Sequence, residues 1–221
     1  MSGGPRRFDL RADPDVDLTA VIAHVRAGGL LAYPTETVYG LGGAATAGAV
    51  AALRRLKSRD GDKPFLVLVH SAEAVGQLTW TDSARELARL FWPGPLTLVL
   101  ADPLGIFPVG IRDGKTGGVG VRVSPHALVA RLVAESGGPL TSTSLNLPGA
   151  PPVTSGTDAM EVVRELGGEN VIVLDAGTLD ASAPSTIVDC TGPVPIVRRA
   201  GTVPTERLRC AIPEIHGEQP A

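Results

Sequence analysis

The stretch AGAVAALRRLKSRDGDKPFLVLV, residues 47–69, contains the change of pattern that decides the class of fold. Its first part, 47–57, reads as a helix. It gives way to the apolar run Phe65, Leu66, Val67, Leu68, Val69, which is bounded by polar residues and reads as a buried strand. Upstream, Leu18, Val21, Ile22 and Val25 recur with a helical period over 17–26, Asp17 is placed to cap that helix and Gly28 to stop it, and a strand over 30–33 follows. Downstream the pattern gives a helix over 83–91, strands over 96–100 and 119–123, a helix over 128–135, a strand over 140–144 and a helix over 158–166. Strands over 171–174, 186–189 and 196–198 complete it. Helix alternating with strand is the mark of an α/β protein. The late strands lack intervening helices, which favours a mixed twisted sheet with flanking helices over a purely parallel doubly wound one.

The chain has 221 residues, enough for one domain that buries roughly 70% of its unfolded surface. No repeat or linker divides it. We expect a catalytic domain over 17–209, an N-terminal extension over 1–16 and a C-terminal tail over 210–221. The N-terminus lacks the apolar stretch of a secretory signal, and no apolar run reaches the length of a membrane span, so a cytoplasmic protein with no membrane partner is expected. Cys190 and Cys210 have neither redox nor zinc-site spacing. A formal net charge of −3 gives no global pull on nucleic acid, so weak contact with RNA would need a local patch.

Several segments offer chemistry. Arg54, Arg55, Lys57, Arg59 and Lys63 form the densest cationic stretch, either a phosphate cradle or a solvated helix end that benefits from the helix dipole. On an extended strand Ser142, Ser144 and Asn146 share one face and make a ligand floor; otherwise Asn146 begins a turn with Pro148 and Gly149 and the hydroxyls serve the backbone. Between 118 and 123 the three valines share one face and Gly118, Gly120 and Arg122 the other, leaving a bare face beside a fork-shaped cation that suits a carboxylate or phosphate. Residues 110–116 imitate a Walker A loop but are one residue short and lead into a Gly-rich strand, so a P-loop is rejected. There is no G-x-S-x-G elbow, no HExxH and no dinucleotide fingerprint, and the four histidines are scattered. Residues 33–42, YPTETVYGLG, leave a strand and turn through glycines, as ligand-binding loops at strand ends do.

That segment, with Lys57-Ser58-Arg59 and the following Lys63-Pro64, WPGPLT over 92–97, Val121-Arg122-Val123, STSLN over 142–146, PSTIVD over 184–189, and Arg199 with Gly201, resembles the YrdC/Sua5 family in order across 17–201. The resemblance implies a YrdC-like fold with a concave cleft and the activity of a threonylcarbamoyl-AMP synthase. Such an enzyme joins L-threonine, bicarbonate or CO2, and ATP, releases pyrophosphate, and supplies a tRNA threonylcarbamoyl transferase. ATP is then a substrate, and Mg2+ rides on its phosphates without a protein metal site. By the same resemblance Lys57, Arg59, Lys63, Ser144, Asn146 and Arg199 hold ATP, with Lys57 and Arg59 catalytic, and Thr35, Thr37, Arg122, Ser142 and Ser185 hold threonine. Leu68 stands where some members carry histidine, with His70 two residues on. The chain ends soon after Gly201, which fits the short YrdC-like form. Two other readings remain open: a double-stranded RNA or ribosome-associated binding module, and a carbamoyl-AMP-forming domain of the hydrogenase-maturation type.

Overall fold

The computed structural model describes residues 4–12, 16–58, 63–180 and 182–217. In chain order the elements are β1 (Arg6–Asp9), α1 (Thr19–Arg26), β2 (Leu30–Pro34), β3 (Tyr39–Gly43), α2 (Ala47–Leu56), β4 (Leu66–Leu68), α3 (Asp82–Phe91), β5 (Leu96–Ala101), β6 (Gly118–Arg122), α4 (Ala127–Ser136), β7 (Leu140–Ser144), α5 (Gly156–Glu165), β8 (Val171–Asp175), β9 (Thr186–Asp189), β10 (Ile196–Arg199) and α6 (Thr205–Ala211). The strands form one sheet in the order β1-β8-β2-β3-β7-β4-β6-β5-β9-β10. Four pairs are parallel (β1 with β8, β2 with β8, β4 with β6, β5 with β9) and the others antiparallel, so the sheet is mixed.

Local signals set most of the boundaries. Thr46, Thr81 and Ser155 cap α2, α3 and α5 with their side-chain oxygens. Asp17 acts one residue earlier than expected, accepting the backbone N–H of Thr19 at 2.8 Å, while Gly28, at φ +87°, ends α1.

Helices cover the two faces unequally. On one face α2, α3, α5 and α6 bury a large cluster that includes Val67, Leu98, Val119, Val121 and Val188. On the other, α1 and α4 pack Val21, Ile22, Leu128 and Leu132 against Leu31, Tyr33, Leu68 and Leu140. That second layer stops short. Leu66 shares a face with Leu68 by the two-residue period of a strand, yet it lies at the margin of that cluster, half-buried, and lines an open cavity.

Three parts of the architecture differ from the sequence expectation. The segment expected to turn through glycines toward a helix is a hairpin: residues 35–38 make the turn, and β3 returns alongside β2 with every residue buried. Gly42 is there because a Cβ would lie 1.7 Å from the Thr141 carbonyl oxygen, so glycine is what lets β7 approach. Within the N-terminal extension, β1 joins the sheet beside β8. In the tail, Ile212 and Ile215 are buried and His216 accepts the N–H of Val197. Among the described residues no helix is long and apolar enough to cross a membrane.

Candidate active site

The face that α1 and α4 leave open forms the floor of a cavity of about 880 Å³. Alternation along each strand supplies that floor: Ser142 and Ser144 from β7, Gly118, Gly120 and Arg122 from β6, Thr97 and Val99 from β5, and Ile187 and Asp189 from β9. The register sets Arg122 beside Leu68 on one flank, and Gly120 beside Val99. As the alternation of 118–123 implies, Val119 and Val121 lie in the core on the opposite face.

At the far edge a β-bulge does what simple alternation forbids. The register of β10 against β9 shifts between Val197 and Arg199, and Arg198 is the extra residue. Both Arg198 and Arg199 consequently reach the cavity wall. Arg198 pairs with Asp189 at 2.8 Å. Arg199 donates twice to the Ser185 carbonyl, at 2.8 and 3.1 Å, and once to the Ser185 hydroxyl at 3.2 Å, which itself lies 3.0 Å from the Thr97 hydroxyl.

Lys57 caps the C-terminal end of α2, and Ser58 follows it at φ +43°, a left-handed conformation uncommon outside glycine. That turn aims the Lys57 ammonium across to β7, where it donates to the Asn146 carbonyl at 2.7 Å, the Asn146 side-chain oxygen at 2.8 Å and the Ser144 carbonyl at 3.3 Å. The Asn146 amide nitrogen in turn donates to the carbonyls of Leu147 and Ala150. Asn146 therefore does both things expected of it: it organises the turn after β7 and it faces the cavity beside Lys57.

At the other end Arg122 is only 5% exposed. Burial lowers its pKa, and the nearby Glu36 carboxylate, 3.1 Å away, opposes that shift. Arg199 is lowered too, first by burial and then by repulsion from Arg122. The two cations are close enough to repel one another, and an anion between them would relieve that repulsion. The Thr35 hydroxyl is engaged in its own turn, donating to the Val38 carbonyl at 2.7 Å and accepting the N–H groups of Thr37 and Val38. The Tyr33 hydroxyl, pushed up to about 12 by burial, stays protonated beneath Gly40.

The cavity brings together Thr35, Thr37, Lys57, Lys63, Arg122, Ser142, Ser144, Asn146, Ser185 and Arg199, and Arg59 lies outside the described residues. Sequence reasoning missed Thr97, Asp113, Thr116, Asp189 and Arg198 on its walls. Asp113 and Thr116 belong to the rejected Walker-like loop, which closes on itself through the Asp113 carboxylate and runs into β6 with no helix. Leu68 is fully buried under α1 and α4, and His70 lines a different cavity, so neither reaches this one. Among the described residues of the cationic stretch, Arg54 and Lys57 turn to different partners. Arg54 lies over the Phe65 ring, and Lys57 turns to Asn146.

Residues 23–201 match the Sua5/YciO/YrdC family model, described as telomere recombination. The chain belongs to the Sua5/YciO/YrdC family. It is 39% identical over 171 residues to a Chromohalobacter salexigens protein named threonylcarbamoyl-AMP synthase, covering 76% of this chain and 89% of that one. A Bacillus subtilis protein of the same name is 33% identical over 208 residues, 92% of this chain and 58% of its own length. Among solved family structures, Pyrococcus abyssi Sua5 complexed with L-threonine superposes with a TM-score of 0.84 at 31% identity, covering 96% of this chain and 62% of that one. The chain therefore spans less than two thirds of those two longer relatives. Escherichia coli YciO, at 22% identity and a TM-score of 0.77, shares the fold.

Proposed function

We propose that this chain is an L-threonylcarbamoyladenylate synthase, and that the cavity holds ATP at its Lys57–Asn146 end and L-threonine at its Arg122 end. The observation that carries this reading is the convergence in one cavity of Lys57, Asn146, Arg199 and the buried Arg122. Cations at both ends suit a substrate pair with a polyphosphate on one partner and a carboxylate on the other. The threonine amine, as the free base, attacks CO2 to give a carbamate and a proton. A carbamate oxygen then attacks the α-phosphorus of ATP, the bond from that phosphorus to the bridging oxygen breaks, and pyrophosphate leaves with the electron pair. Bicarbonate serves equally once it has taken up a proton and lost water to give CO2, and carbamate formation returns that proton. No covalent enzyme intermediate is needed, so the protein acts by placing the two substrates and by offsetting the charge that builds on the phosphates.

In this reading Lys57, Lys63, Ser144, Asn146 and Arg199 hold ATP, and Arg122, Thr37, Ser142 and Ser185 hold threonine, with Thr35 fixing the turn between them. Arg59 is assigned to ATP on the family resemblance. Magnesium enters as part of the nucleotide substrate. The cavity's carboxylates have prior partners, Asp189 in Thr191 and Arg198 and Asp113 in its own loop, which leaves the triphosphate as the natural carrier of the ion. The adenylate is a reactive acyl donor, which places a tRNA threonylcarbamoyl transferase next in sequence.

Pyrophosphate release from ATP and bicarbonate, with and without L-threonine, tests the assignment. Release is expected to depend on threonine, and Lys57→Ala and Asn146→Ala are each expected to lower kcat/KM by about two orders of magnitude. Release indifferent to the amino acid would sink the substrate assignment, and near-normal turnover in both variants would remove Lys57 and Asn146 from the chemistry.

A further inference from the structure

Glu36 sits between Thr35 and Thr37, both of which line the cavity, yet Glu36 itself does not. Its carboxylate turns to the start of the loop after β6. There its Oε1 lies 3.1 Å from a terminal nitrogen of Arg122, and its Oε2 accepts the Ser124 hydroxyl at 2.7 Å. The Ser124 oxygen in turn accepts the backbone N–H of His126 at 3.2 Å. This carboxylate is therefore clamped from the far side by the loop that follows β6, while its charge faces back toward Arg122.

The contact is one-sided. Arg122 Nε and Glu36 Oε1 are both buried without a well-aligned hydrogen bond, so the pair is not the two-pronged fork that satisfies a guanidinium and a carboxylate together. A guanidinium so nearly withdrawn from water is costly unless it is paired. Thr97 and Ser142, which line the same cavity, are uncharged, and the next cation, Arg199, repels it. Glu36 is the one carboxylate in ion-pair contact with Arg122 among the described residues. The pair as built holds Arg122 in place and charged while leaving donor capacity for a second acceptor.

We infer that Glu36 is the positioning residue for the amino-acid carboxylate: held by Ser124, it fixes Arg122, so that Arg122 offers its unshared edge to that carboxylate. This rests on the reading of the cavity as a threonine site. Glu36 touches no substrate and acts only through Arg122, and its effect should therefore vanish for a ligand that lacks the carboxylate. A merely structural ion pair has no such selectivity.

The test is a comparison of L-threonine with L-threoninol, in which a hydroxymethyl group replaces the carboxylate, by calorimetric titration of the full chain as wild type, Glu36→Gln and Glu36→Asp. Circular dichroism melts confirm folding. The wild type is expected to prefer threonine by roughly 30-fold or more, Glu36→Gln to cut that preference to about 5-fold or less, and Glu36→Asp to recover most of it. In the pyrophosphate assay Glu36→Gln should raise the KM for threonine by about 10-fold while the KM for ATP moves less than about 2-fold. An undiminished preference in Glu36→Gln overturns the inference, even if both affinities fall together, and leaves the threonine site standing. A wild type that binds threonine no better than threoninol overturns the site and the inference with it.

Discussion

Arg122 and Val121 are neighbours on one strand, and a single step along it separates a cation facing a cavity from a valine with no exposed surface. Side chains governed by a period of two were legible before any coordinates: the Gly118, Gly120, Arg122 set and the Ser142, Ser144 pair fall where alternation sends them. Glu36 was not, because a turn imposes no period, and this residue, which does not line the cavity, is marked only by its partners Arg122 and Ser124. The two cysteines give a prediction at this scale. Cys190 is buried behind β9, and burial pushes its thiol up to about 12, whereas Cys210 is exposed on α6. Since the thiolate is the reactive form, a chromogenic disulfide reagent at pH 8 is expected to titrate one thiol per native chain and both after denaturation. Two fast thiols in the native protein would contradict the packing around Cys190.

Among the elements, those with a clear period and a cap were legible to within a residue or two, as for α2, α3, β7 and β9. β3 was hidden by its own composition: Gly40, Gly42 and Gly43 read as a turn because glycine is depleted in strands, but here it answers to the crowding between β3 and β7. Gly42→Ala would drive a methyl group into the Thr141 carbonyl in the middle of the sheet. It is expected to cost about 3 kcal/mol in a urea melt, while Gly48→Ala, on α2 with open space around it, changes stability by less than about 1 kcal/mol in either direction. Equal effects would mean that β3 and β7 have room to spare. The bulge in β10 lay beyond sequence reasoning for a different reason. A one-residue slip between paired strands is settled by both partners together, and only the observed register brings Arg198 and Arg199 to the same wall.

At the scale of the whole molecule, α1 and α4 cover only part of one face of the sheet, and the remainder is the cavity floor. A site built from strands so far apart in the chain should be stabilised as a unit when it fills. L-threonine at a hundred times its Kd is expected to add about 2.7 kcal/mol, which scanning calorimetry would register as a rise in Tm of roughly 5–10 °C. No rise with threonine, alone or with ATP, would remove the cavity as the binding site. The mixed sheet could be foreseen from the succession of strands, whereas the strand order could not, since pairing between distant segments leaves no local mark. One pairing also bears on how the protein is made. Among the described residues β1 pairs with β8 alone, with Arg6 opposite Ile172 and the Arg7 guanidinium on the Asp175 carboxylate. On the ribosome, β1 must wait for β8 to be made, so this pair of strands can close only late, and a nascent chain stalled between the two carries an open strand that chaperones would have reason to shield.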